Sequence, residues 1–108
     1  AVHSVEVPRL PGASLFDLDR VAEAVIAEDE KEVLDSLAPH EARHPGVPVD
    51  LILVVGEPAT TIAAEAEDAS LLVTGSRGHG GFAGLLLGSV SRRLLQTAPC
   101  AVAVVRPV

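Results

Sequence analysis

The sequence predicts an α/β domain: an open parallel sheet with helices on both faces. Three observations carry this. Apolar runs alternate with helix-period segments in the order β, α, β, α, β, glycine-rich connection, α, β. That alternation calls for parallel strands joined by right-handed crossovers. Of the 108 residues 48% are hydrophobic, mostly Val, Leu and Ala, with Phe16 and Phe82 as the only aromatics. Such strands suit a sheet buried on both faces. Third, Gly75–Ser89 is a glycine-rich connection from an apolar strand to a helix. It offers backbone N–H groups unobstructed by Cβ atoms and a helix N-terminus of partial positive charge.

Taken in order, residues 2–7 read as the end of a strand, closed by Pro8 and the Pro11-Gly12 turn. A parallel α/β domain is not expected to open partway along a strand, so residues upstream of Ala1 are expected. Ser14 and Asp17 form an S-x-x-D capping pattern ahead of a long amphipathic helix. Leu15, Leu18, Ala22, Val25, Ile26, Val33, Leu34 and Leu37 make its apolar face. Glu28 to Glu32 read as a solvated charge cluster, and Pro39 is expected to end or kink the helix. His40 and His44 have metal-like i,i+4 spacing, but they flank that break and no third ligand is evident. Pro45-Gly46 is a turn.

Residues 49–55 are the clearest strand, ending at Gly56. Pro58 at a first helical position opens a helix to about Glu67, with Ile62, Ala63 and Ala66 inward. Leu71–Thr74 is the next strand, and the last helix runs from about Ser89 to Thr97. Ala101–Val105 is the final strand, halted by Pro107. The lone Cys100 excludes an intrachain disulfide and reads as a buried, inert thiol. No apolar run of transmembrane length and no secretory signal pattern is present, which points to a cytoplasmic protein.

The net charge of −7 is unevenly spread. All 15 acidic residues lie in residues 1–70, whereas residues 71–108 carry Arg77, Arg92, Arg93 and Arg106 and no acid. The acidic part repels nucleic acid, and the near absence of aromatics removes the stacking platform that single strands need. The glycine-rich end is locally cationic, as an anion site would be.

Known phosphate motifs narrow the chemistry. The P-loop pattern fails because no Lys follows Lys31. Gly78-His-Gly80-Gly-Phe-Ala83 matches the dinucleotide pattern in part, but no acid follows Asp68 to hold a ribose. The nucleophile elbow is absent. A dinucleotide oxidoreductase and an α/β-hydrolase are thereby disfavoured.

What remains is G-x-x-G, nine residues, then G-S: Gly75, Gly78, Gly88 and Ser89. Set between a strand and a helix, and followed by a Pro-x-x-Val-x-Val-Val strand, this spacing resembles the universal stress protein family, and specifically its ATP-binding class. The resemblance runs through the whole chain, and Asp68 to Phe82 is its most telling segment. It implies a Rossmann-like, adenine nucleotide alpha hydrolase-like sheet in a single domain over residues 1–108. It further implies that backbone groups of Gly75, Ser76, Arg77, Gly78, His79 and Gly80 line the ribose and triphosphate of ATP, with Mg²⁺ on the phosphates. Gly88, Ser89 and Val90 would close the other side. Ser89 could donate its hydroxyl and N–H to one phosphate from the helix start. Arg77 could add a charge-assisted contact, and His79 a hydrogen bond. The family's first strand, which ends in an Asp that contacts the nucleotide, and its following helix have no counterpart here. The domain is therefore expected to be N-terminally incomplete, with two strand edges open in mid-sheet. The resemblance also implies homodimerisation through the last strand and a regulatory role in stress response. The alternatives are a slow ATPase or phosphotransferase using His79 or Ser89, and a dimeric interaction module without nucleotide.

Overall fold

The computed structural model describes residues 1–6, 15–76 and 87–106, with backbone alone for residues 15–18. Four strands and three helices follow one another in the expected order. These are β1 (Val2–Val5), α1 (Leu15–Arg43), β2 (Ile52–Val55), α2 (Pro58–Glu65), β3 (Leu71–Gly75), α3 (Ser89–Thr97) and β4 (Ala101–Val105). The fold is α/β with parallel strands flanked by helices, and its residues group into two compact units, 1–57 and 58–108.

In the first unit β1 and β2 pair in parallel, from Val2 opposite Ile52 to Val5 opposite Val55. The second strand is shorter than the apolar run that encodes it. Just ahead of it the Asp50 carbonyl accepts from the Ala1 amine and the Ile52 N–H donates to the Ala1 carbonyl at 2.8 Å. Val5 is fully buried, and Gly56 closes β2 with a φ of 145°, a conformation reserved for glycine. Its N–H donates to the Val5 carbonyl at 3.1 Å, and its carbonyl accepts the Ser4 hydroxyl at 2.8 Å.

Helix α1 packs on β1 along a partly buried stripe that includes Ala22, Val25, Ile26, Val33 and Leu37. Leu34, expected on that face, is 44% exposed. The stripe passes through the acidic cluster at Asp29, whose carboxylate lies 3.0 Å from Nε2 of His3. The cluster is thus solvated except at Asp29. Pro39 does not end the helix, which runs four residues further. Its missing N–H orphans a carbonyl one turn back, at Asp35. Asp35 is exposed, so water can take that bond. Ser14 of the capping pattern lies outside the described residues.

In the second unit β3 and β4 pair in parallel from Leu71–Ala101 to Gly75–Val105. Helix α2 starts at Pro58 as expected, ends at Glu65 rather than about Glu67, and turns inward the buried Ala59, with Ile62 and Ala63 half-buried; Ala66, just past its end, is buried too. The helix packs on α3, which packs on β4. Leu94 of α3 is fully buried and Ser91 nearly so. Ala98 leaves the helix in extended conformation (φ −63°, ψ 141°) because Pro99 follows it, and its N–H still reaches the Leu94 carbonyl at 2.9 Å. One face of this strand pair departs from two-sided burial. Leu71, Val73 and Val105 project from it 52–59% exposed, while Leu72, Thr74, Val102 and Val104 opposite are half-buried. Cys100, expected buried, is half-buried and free.

Candidate functional site

The strand β3 ends at Gly75, and Gly88 stands at the start of α3. Three backbone hydrogen bonds fix these two ends. Ser76, just beyond β3, donates its N–H to the Val105 carbonyl at 3.0 Å, prolonging the β3–β4 ladder by one bond. The Ser76 carbonyl accepts the Gly88 N–H at 2.6 Å, which ties the exit of the strand to the start of the helix. The Gly88 carbonyl then accepts the Arg92 N–H at 3.1 Å, the first bond of α3. Segment 76–88 is therefore closed at its base by its own backbone.

Gly88 is the N-cap of α3, in extended conformation (φ −73°, ψ 168°), with no side-chain hydrogen bond to the helix end. A serine, threonine or aspartate there would place an oxygen on the first N–H groups of the helix; glycine brings no such side-chain acceptor. The first turn holds no acidic residue that would neutralise the helix dipole. Ser89 is exposed and Val90 half-buried at this end. The N–H groups of Ser89, Val90 and Ser91 have no carbonyl one turn back within the helix. Chemically, this is a place for an anion with several acceptor oxygens. Arg92 and Arg93 are both exposed on the same helix, which adds positive charge nearby.

Of the residues expected to form the site, Gly75, Ser76, Gly88, Ser89 and Val90 are brought together by this closure. Arg77, Gly78, His79 and Gly80 lie outside the described residues. Ser76 is 2% exposed, and its backbone N–H and carbonyl are both engaged within the protein. The expected set omits Ser91, which is 3% exposed; its hydroxyl lies 3.1 Å from the Gly88 carbonyl and 3.4 Å from that of Ser76. The signal was a serine at the third helical position, where hydroxyls commonly turn back onto the local backbone.

His40 and His44 sit elsewhere, in the first unit. With Leu37, Glu41, Val47 and Val49 they line an apolar cavity of about 310 Å³. No group of three metal-binding side chains occurs among the described residues. No helix among them is long and apolar enough to cross a membrane.

Comparison with known proteins bears out the family resemblance. A sequence model described as the universal stress protein family matches residues 1–106. A universal stress protein of Mycobacterium tuberculosis is 39% identical over 109 residues, covering 98% of this chain and 35% of the relative. A second from the same species is 37% identical over 102 residues, covering 94% and 32% respectively. One from Mycolicibacterium smegmatis is 38% identical over 105 residues, covering 95% and 33%. The chain spans about a third of the length of these curated relatives. On the family match over nearly its whole length, the chain belongs to the universal stress protein family.

Proposed function

We propose that the chain is an ATP-binding regulatory module in a stress response, with Mg²⁺ carried on the phosphates. Family membership supports the stress-response role. The nucleotide reading rests above all on one observation: the uncapped start of α3 at Gly88, held against the end of β3 by the Ser76–Gly88 hydrogen bond. The triphosphate would accept from the N–H groups of Ser89 and Val90, with the Ser89 hydroxyl as a further donor. Gly75, Ser76, Arg77, Gly78, His79 and Gly80 would supply the opposite wall. No residue of this set is assigned a catalytic role, and the module acts by binding, in the cytoplasm. A second copy of the chain would pair along β4, whose partner among the described strands is β3 alone.

Replacing Gly88 with Asp tests the nucleotide reading cleanly. Aspartate is a good N-cap, so Gly88→Asp should leave α3 as stable or stabilise it by about 0.3 kcal/mol. The same carboxylate would occupy the anion position and repel phosphate. Isothermal titration with Mg·ATP should then show at least about a tenfold loss of affinity at unchanged melting temperature. Equal binding by both proteins, or binding by neither, would remove ATP from this site.

A further inference from the structure

We infer that Ser91 is a positioning residue that fastens the two ends of segment 76–88 together. Its hydroxyl sits in the buried angle between β3 and α3, 3.1 Å from the Gly88 carbonyl and 3.4 Å from the Ser76 carbonyl. One hydroxyl carries one proton, so the donation is shared between the two carbonyls and weighted toward the nearer. Each carbonyl already accepts one backbone N–H: Gly88 from Arg92, and Ser76 from Gly88. The serine thus fills second acceptor positions on the two carbonyls that define the closure, the Ser76–Gly88 bond and the first turn of α3.

Burial gives this contact its weight. Ser91 is 3% exposed and Ser76 2%, so water cannot readily replace the hydroxyl. Without it, the Gly88–Ser76 bond would be the one remaining hydrogen bond between the helix start and the strand end among the described residues. The N–H groups of Ser89 and Val90 would then lose their fixed direction. A triphosphate needs those donors aimed together, and misdirection weakens binding without removing any ligand contact. This role for Ser91 in binding rests on the nucleotide reading above; its role as a fastening does not.

The test uses the whole chain with four proteins: wild type, Ser91→Ala, Ser91→Thr, and Thr97→Ala as control. Thr97 makes the comparable hydroxyl-to-backbone bond at the other end of α3, to the Arg93 carbonyl at 2.8 Å, and is exposed. The chain has no Trp or Tyr, so binding of Mg·ATP and of tripolyphosphate is read by calorimetry. Amide hydrogen exchange at Gly88 is read by NMR. Loss of one buried hydrogen bond should weaken both ligands about tenfold in Ser91→Ala and speed Gly88 exchange by a similar factor. Ser91→Thr, which keeps the hydroxyl, should recover most of both losses, and Thr97→Ala should change neither. Should Ser91→Ala not fold, Ser91→Cys takes its place, of nearly the same volume and a poor donor. Wild-type affinity together with unchanged Gly88 exchange in Ser91→Ala would overturn the inference. So would a loss that Thr97→Ala reproduces. If wild type binds neither ligand while Gly88 exchange still rises in Ser91→Ala alone, the fastening stands and the nucleotide reading falls.

Discussion

Gly56 and the His3–Asp29 pair show how single residues divide the work in the first unit. Gly56 ends β2 at a φ of 145°, where a Cβ would meet its own backbone, and both of its backbone groups are engaged by β1. Gly56→Ala is expected to cost about 1–3 kcal/mol, the usual strain of a side chain held in that region. Urea denaturation reads it, and a midpoint unchanged from wild type would show that the turn relaxes freely. His3 and Asp29 contribute less. Their side chains are 37% and 30% exposed at 3.0 Å, so solvent screens the pair to below about 1 kcal/mol. It ties β1 to the partly buried side of α1.

Among the elements, α3 is held by its buried side and α1 by little. Leu94 is fully buried and Leu95, its neighbour, 49% exposed. Leu94→Ala should therefore cost about 2–5 kcal/mol, and Leu95→Ala well under about 1. Thermal melts of the two variants should separate accordingly, and equal losses would contradict this packing of α3. Helix α1 spans 29 residues with only a partly buried stripe, and it carries Pro39 in its last turns. Pro39→Ala restores an N–H for the Asp35 carbonyl and removes a ring clash. It should raise stability by about 1–3 kcal/mol. A neutral or destabilising result would mean that the proline is matched to a local bend.

For the molecule as a whole, the described strands form two separate parallel pairs, β1–β2 and β3–β4. A two-stranded sheet has two edges with unpaired backbone groups and is marginal by itself. On β3–β4 this coincides with the apolar face of Leu71, Val73 and Val105. Edge and face together favour pairing with another strand, and the proposed second copy would use the β4 edge. Val105→Lys puts a charge there. Sedimentation at micromolar concentration should find the parent chain dimeric and the variant shifted toward monomer, with the dissociation constant raised at least about tenfold. A monomeric parent would end the dimer proposal.

The alternation of apolar runs with helical segments was enough to set the element order and the parallel pairing, because strand and helix periods differ along the chain itself. Ala101–Val105 was legible to the residue and Ser89–Thr97 approximately, bounded by glycine and proline. The spacing Gly75, Gly78, Gly88, Ser89 likewise marked the candidate site and its family. Contacts across the chain were decided only by folding. Asp29 looked like one acid among several until β1 brought His3 against it. Ser91 could be set against the Ser76 and Gly88 carbonyls only once the residue after β3 and the start of α3 had been brought together. Periodicity records which way a residue faces, but what it faces depends on segments distant in sequence, and that is settled by packing alone.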